Sequence, residues 1–439
     1  MLSRYREYHG KGDAGAGTLR RQPLGVLPVI LLLVGVLISP GRANAQTQNT
    51  CLACHSQLDP PLQVSPGDFT NSIHAQKGIT CVSCHGGDSS SSDPERAMSK
   101  AARFRGAPER KDVPEFCGKC HSDAAYMRGF DPSLRTDQYS QYQTSVHGKL
   151  HAKGDTRTAV CIDCHGVHDI QPPSDQRSRV HPLNVAQTCS RCHADAAYMK
   201  PYGIATDQFA DYSASVHHDA LAIRGDLTAP TCSTCHGSHG AAPPGVDSVA
   251  RVCSTCHVFQ AQLFDSGPHK DVFGAMGLPA CVTCHSNHLV QHPTDAMIGT
   301  AEGSICLKCH TEGDAGYIAA GTMHDDITKL DSAIARSDDL LGRAERSGME
   351  VGEARLTEAD ARDDLMKARV EIHSVQPATV DRDIDAGLKV AATTYQAAQN
   401  ALAELRYRRK GLLVSVVTIV FVLIGLYLMI RKLESKEAQ

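Results

Sequence analysis

The stretch "AVCIDCHGVHDI", residues 159–170, places two cysteines and two histidines within eight positions. Cys161, Cys164 and His165 form the pattern C-x-x-C-H, and His168 follows three residues later. Thiols and imidazoles at such close spacing are typical of a site that holds a metal or a metal-containing group. The number of copies in the chain decides which kind of site it is.

The pattern occurs nine times and uses all 18 cysteines of the 439-residue chain. Structural zinc sites have no need of a histidine directly after each second cysteine, and disulfide frameworks need no histidine. C-x-x-C-H is the attachment motif of c-type haem, so the sequence predicts nine covalently bound haems. The predicted attachment cysteines are Cys51, Cys54, Cys81, Cys84, Cys117, Cys120, Cys161, Cys164, Cys189, Cys192, Cys232, Cys235, Cys253, Cys256, Cys281, Cys284, Cys306 and Cys309. The predicted proximal iron ligands are His55, His85, His121, His165, His193, His236, His257, His285 and His310.

Eight of the nine motifs belong to four repeated units. Each unit reads S-x-H, a variable spacer and two C-x-x-C-H motifs, and "TDQYSQYQTSVH" (136–147) aligns without a gap with "TDQFADYSASVH" (206–217). The fourth unit loosens to "SGPH", and the motif at Cys51 stands alone before the first unit. Duplication of a two-haem module predicts a quasi-linear array in which each unit contacts its neighbours.

The sixth ligand of each iron decides between an electron carrier and a catalyst. Fourteen histidines lie outside the motifs, and eight of them occupy patterned positions. The first unit has Asp88 where the other units have a histidine three residues after the motif, so a ninth ligand is sought elsewhere, and His373 is preferred over His292, His181 and His151. The predicted distal ligands are His74, His147, His168, His217, His239, His269, His288, His324 and His373. We interpret His9 and His218 as structural residues.

Composition indicates how such a region would fold. Residues 51–310 hold about 29 residues per motif, contain no tryptophan and few aromatic residues, and cannot build an ordinary apolar core. Stacked porphyrins would have to supply the apolar mass, so the protein without haem is expected to be largely unfolded. The predicted fold is mainly α and irregular, with little regular structure in residues 46–324. A net charge of -4 gives no indication of a nucleic-acid partner.

The N-terminus has the features of an export signal. The apolar run at 23–39 follows Arg20 and Arg21 and precedes "ANA" at 43–45, which predicts a signal peptide over residues 1–45. The charged stretch before the run is long, so an uncleaved anchor is the alternative. Either form carries the motif region across the membrane.

The C-terminal part changes character after residue 324. Residues 325–410 lack cysteine and show apolar residues at helical spacing, with breaks expected near Gly348 and Pro377. This pattern predicts a helical hairpin or bundle, with a coiled-coil oligomer as the rival. The uncharged stretch at 411–430 is long enough to span a bilayer, and residues 431–439 would form a cytoplasmic tail.

These motifs resemble the multihaem c-type cytochromes of bacterial respiration, in particular the class III-type family with two histidines per iron. The resemblance implies an array of haems with little regular structure and low-potential electron transfer in anaerobic respiration. It also implies a single-pass protein of the bacterial inner membrane with its haems in the periplasm. Expected partners are a quinol-oxidising or cytochrome b-type membrane subunit and periplasmic redox proteins.

Two functions therefore remain open at this stage. The first is an electron-transfer protein that is not an enzyme. The second is a reductase of nitrite, hydroxylamine or a sulfur oxyanion, which needs one haem with an open position. The first unit, with Asp88 at the patterned position, is the expected place for such a haem.

Overall fold

The computed structural model describes residues 49–240, 242 and 249–437. The predicted signal peptide and His9 lie outside the described residues. The described part contains helices, turns and irregular segments and no β-strand, which confirms the predicted mainly α fold.

The motif region is built from short helices. Seven motifs lie on α-helices, and those at Cys253 and Cys306 begin in 3-10 turns (Val249–Thr255 and Cys306–Lys308). The motif helices are Thr50–His55, Cys81–His85, Val113–His121, Cys161–His165, Pro182–His193, Cys232–His236 and Val282–His285. The other short α-helices are Pro66–Asn71, Ile73–Gln76, Pro94–Ala97, Ala124–Arg128, Gln138–Thr144, Val146–Ala152, Ala196–Met199, Gln208–Ser213, Val216–His218, Val258–Ser266 and His269–Met276. Further single turns are Arg110–Asp112, Lys200–Tyr202, Asp219–Ile223, Asp295–Met297 and Ile372–Ser374.

Three long helices form the tail: α1 (Ala315–Arg346), α2 (Gly352–Glu371) and α3 (Pro377–Glu437). The chain turns at Gly348, which has φ 78°, and again between residues 372 and 376, so the breaks expected near Gly348 and Pro377 are both present. The first helix begins ahead of the predicted boundary at 325, because the Asp314 carboxylate caps it by accepting a hydrogen bond from the Tyr317 amide (2.8 Å). His324 therefore lies on α1.

The tail helices pack as a three-helix bundle around a small apolar core. One residue triplet per helix illustrates it: Ile327, Leu330 and Ile334 from α1 meet Ala361, Leu365 and Ala368 from α2 and Val380, Ile384 and Ala391 from α3. The helices α1 and α3 run in the same direction, since Leu330 lies against Gly387 and the Ser337 hydroxyl hydrogen-bonds that of Thr394 (2.8 Å). A Cβ on Gly387 would approach Leu330 to 2.7 Å, so glycine permits this close contact.

Replacing Leu330 with alanine should destabilise the bundle by about 2–5 kcal/mol, since the side chain is fully buried and its loss leaves a cavity. The free energy of unfolding is measured by chemical denaturation of the holoprotein, with hydrogen exchange in residues 315–400 as the probe of the bundle. Ile318→Ala is the matched control, because Ile318 is exposed on the same helix and its loss should cost no more than about 0.5 kcal/mol. Equal effects of the two substitutions would contradict the packing described here.

The C-terminal half of α3 is apolar and exposed over residues 411–430. Among the residues that the structure describes, this helix is the one long and apolar enough to cross a membrane, with a mean hydropathy of 2.8 in its most apolar window. That judgement rests on length and composition.

Candidate functional site

Histidine rings meet in eight pairs along the motif region. Each pair joins the histidine of one C-x-x-C-H motif to a histidine outside the motifs, with ring centroids 5.9–6.4 Å apart. The pairs are His74–His121 (6.1 Å), His85–His168 (6.4 Å), His147–His193 (6.1 Å), His165–His239 (6.0 Å), His217–His257 (6.4 Å), His236–His288 (5.9 Å), His269–His310 (6.0 Å) and His285–His373 (6.0 Å).

The ring spacing fits a haem iron held between two imidazoles. Imidazoles that bind one metal from opposite faces, each through a bond of about 2 Å, have ring centroids about 6 Å apart. Stacked rings without an intervening atom would lie closer, as His269 and Phe273 do at 5.0 Å. The motif thiols stand beside these pairs, so the residues present fit covalently attached haem with two histidine ligands.

Serine caps place the upstream histidine of each of the first three units. Ser72, Ser145 and Ser215 are buried. The hydroxyl of each accepts a hydrogen bond from the backbone amide of the third residue of the following helix (3.0–3.3 Å). The S-x-H pattern therefore fixes the histidine in the first turn of a capped helix. In the fourth unit the residue at the cap is Pro268, which has no side-chain cap, in agreement with the loosened "SGPH" pattern.

A residue with positive φ follows the first motif of each unit and, in the second to fourth units, positions the histidine that lies three residues after that motif. The motif helix ends at a residue with positive φ, which turns the chain away from its own motif. These residues are Gly86 (φ 69°), Gly166 (φ 81°), Gly237 (φ 81°) and Ser286 (φ 63°). The turned segment crosses to the preceding unit: His168 pairs with His85, and the Ile73 amide donates to the Ile170 carbonyl (2.8 Å).

The pairs follow one rule. The second motif of each unit is paired with the S-x-H histidine of the same unit, and the first motif is paired with the histidine supplied by the next unit. No next unit follows the fourth, and His373 from the turn between α2 and α3 takes that place beside His285. The tail thus supplies a side chain to the motif region.

Two of the predicted ligands have no imidazole partner among the described residues. The Nδ1 atom of His55 lies 2.9 Å from the Leu62 carbonyl, and His324 lies 3.4 Å from Asp325. Because His85 is paired with His168, the motif that lacks a partner is that at Cys51 and not, as expected from Asp88, a motif of the first unit.

The three histidines considered as competitors, His151, His181 and His292, make other contacts, and so does His218, which was interpreted as a structural residue. His151 packs on Tyr142, His218 packs on Tyr212, and the Nδ1 of His181 accepts a hydrogen bond from the Leu183 amide (3.3 Å). His292 is exposed and its ring contacts the Pro293 carbonyl (2.9 Å). None of the four forms an imidazole pair in the described part of the chain.

Thiol contacts give the order of the motifs in space. Thiols of successive motifs lie close enough to interact electrostatically, and each such contact joins neighbours in sequence. The contacts are Cys51–Cys81, Cys84–Cys120, Cys117–Cys161, Cys164–Cys192, Cys189–Cys232, Cys235–Cys253, Cys253–Cys281 and Cys284–Cys306. The nine motifs therefore follow one another in sequence order from Cys51 to Cys306.

Burial adjusts the protonation of these groups. It lowers the pKa of His165 to about 4, with a further contribution from His239, so this imidazole is neutral at pH 7 and free to bind a metal. Burial also raises the pKa of the Cys235 thiol to about 11, which keeps it protonated in the protein without haem.

Two tyrosines belong to the site and were not identified from the sequence. Tyr142 and Tyr212 are repeat equivalents five residues before the S-x-H histidine, and each donates its hydroxyl proton to a backbone carbonyl just before the next motif, Ala159 (2.9 Å) and Pro230 (3.0 Å). Burial raises the pKa of each phenol to about 12, so both remain donors. The aligned segments 136–147 and 206–217 share a tyrosine at this position, and that match is the signal by which the sequence could have identified both residues.

A continuous cavity of about 3330 Å³ runs along the motifs and reaches from His55 to His373. A pocket for one drug-sized ligand is about 300–1,000 Å³, so this space suits a series of large planar groups. No disulfide links the motifs, which leaves all 18 cysteines for attachment.

Comparison with known proteins agrees with this geometry. The family model described as Cytochrome c3 matches residues 73–194, which hold the first unit and the start and both motifs of the second. This stretch is similar to multihaem electron-transfer proteins with covalently bound c-type haem. Searches of characterised proteins and of solved structures gave no significant match.

Proposed function

We propose that the chain is a membrane-anchored periplasmic cytochrome that carries electrons along nine c-type haems. The observation that carries the proposal is the set of eight imidazole pairs with centroids 5.9–6.4 Å apart, each next to a pair of motif thiols. The family match over residues 73–194 supports the same chemistry.

The chain's residues hold and enclose the haem groups. Haem iron, when bound, supplies a one-electron couple whose potential depends on its axial ligands and its burial. The motif thiols would attach each group covalently, and at eight sites the paired imidazoles would both bind the iron, which would leave no iron position for a substrate there. Such sites transfer electrons and do not bind substrate.

The two ends of the array differ in their surroundings. At the Cys306 end, α1 packs on the turns at residues 295–297 and 306–308, and Arg369 of α2 forms a bidentate ion pair with Asp295 (2.7 and 3.0 Å). Exposed cysteines lie at both ends, Cys309 here and Cys54 at the other, so the packing of the tail is what distinguishes the Cys306 end. We place electron entry at the Cys306 end, beside the tail, and exit to a soluble periplasmic partner at the Cys51 end.

The tail separates the array from the proposed membrane span. Residues 377–410 of α3 cover about 50 Å along the helix axis before the apolar stretch begins. A single spanning helix also offers no enclosed quinol pocket. A donor subunit of the cytochrome b or quinol-oxidising type must therefore project from the bilayer to reach the array. Alternatively, a tilt of α3 relative to the bilayer normal brings the array closer to the donor.

The test counts haems and their coordination in the detergent-purified full chain. We expect nine haems per chain by pyridine haemochrome, and at least eight low-spin irons with two imidazole ligands by electron paramagnetic resonance. The purified chain alone should not oxidise a quinol, whereas membranes that contain the donor should reduce its haems. A count well below nine, a mainly high-spin spectrum or quinol oxidation by the chain alone would each contradict the proposal.

A further inference from the structure

We propose that the site formed by Cys51, Cys54 and His55 is a ligand-binding site, which takes a small neutral diatomic molecule on the iron face opposite His55. The inference rests on the proposed function, since it requires haem at this motif. It differs from that function because the other eight sites are closed by paired imidazoles.

The surroundings of His55 match those of the second motif in each unit. In the units, the second-motif histidine lies beside the imidazole pair of the next unit's first motif: His121 beside His165–His239, His193 beside His236, and His257 beside His285. His55 lies in the same way beside His168, the partner of His85. The Cys51–Cys81 contact likewise repeats the Cys117–Cys161 contact.

This equivalence shows which residue the Cys51 site would need. Every other second-motif histidine is paired with the upstream histidine of its own unit, which stands in an S-x-H pattern in the first three units and in "SGPH" in the fourth. Residues 1–50 contain no S-x-H pattern, and their one histidine, His9, lies in the predicted signal peptide. No ring partner for His55 is present in the described ranges 49–240 and 249–437.

The same rule explains Asp88. The position three residues after the first motif of a unit serves the first motif of the unit before it. Residues 1–50 contain no cysteine, so the first unit has no such motif to serve. The Asp88 carboxylate instead accepts hydrogen bonds from the Ser90 amide (3.0 Å) and hydroxyl (2.6 Å). Asp88 is therefore a loop residue and not a replaced iron ligand.

The Cys51 site is also accessible from solvent. Cys54 is exposed, Leu62 keeps 60% of its surface exposed, and the Nδ1 atom of His55 is held by the Leu62 carbonyl, which directs the other ring nitrogen towards the metal position.

The test is carbon monoxide binding to the dithionite-reduced, detergent-purified full chain, after its haems have been counted. We expect about one carbon monoxide per nine haems and, in the oxidised protein, one high-spin iron by electron paramagnetic resonance. His74→Ala should raise uptake to about two per nine by opening the His121 site, and His217→Ala should do the same at His257 if the first variant loads haem poorly. His292→Ala is the matched control and should leave uptake at one.

Several results would overturn the ligand site. One is a full count of nine haems with no carbon monoxide uptake. Another is uptake that appears only in His9→Ala, because His9 would then fill the position. A count of eight haems with Cys51 unmodified would overturn this inference and the nine-haem proposal together.

Discussion

The chain produced without haem should lose the fold of residues 49–310 and keep its tail bundle. Both hydrophobic clusters of buried residues lie within the tail, one around Leu330 and one around Leu341. In the motif region the buried apolar residues are scattered along the large cavity, so little apolar contact remains once the porphyrins are removed. The protein should then behave as metal-dependent small domains do, which are unfolded until their group is bound.

Hydrogen exchange read by mass spectrometry separates the two parts. The chain is expressed in the cytoplasm, where haem is not attached, and is compared with the periplasmic holoprotein. We expect amides of residues 49–310 to exchange at the rate of an unfolded chain in the first sample, while amides of α1, α2 and residues 377–400 stay protected in both. Slow exchange of the motif helices without haem would show that the polypeptide has a core of its own.

The sequence predicted more of the site than of the packing, because attachment of haem requires fixed residue types at fixed spacing. For that reason the nine motifs could be read from the sequence, and seven of the eight patterned histidines form imidazole pairs in the structure, His324 being the exception. The identity of each partner was not, since His168 reaches His85 across some 80 residues of chain through a turn at Gly166. Spacing indicates that a histidine three residues after a motif can reach an adjacent haem site, and only the fold identifies that site as the one at His85.

In the tail, too, local features could be predicted from the sequence and the docking of distant segments could not. Its helices and their breaks followed from apolar spacing and from Gly348 and Pro377, since these act locally. The direction in which His373 points depends on how α2 and the turn Ile372–Ser374 dock on the helix Val258–Ser266, where the side-chain amide of Gln376 donates to the Ser266 carbonyl (3.4 Å). That docking joins residues 110 positions apart and leaves no periodic signal in the sequence.

Replacing His373 with alanine should open the Cys281 site and no other. The reduced variant is expected to bind about one more carbon monoxide than the wild type and to gain one high-spin iron when oxidised. The Arg369–Asp295 ion pair and the bundle core are untouched, so the tail should remain docked with unchanged exchange in α1 and α2. The reason is the ring pair of His285 and His373, whose centroids are 6.0 Å apart.

His324→Ala is the sharpest comparison for this variant. Both histidines come from the tail and both were predicted as distal ligands, but His324 lies on α1 beside Asp325 and Gly299 without an imidazole partner among the described residues. Its loss should leave carbon monoxide uptake at the wild-type level. If His324→Ala gained a binding site and His373→Ala did not, the tail would have to dock in another register, with α1 rather than the turn before α3 completing the last unit.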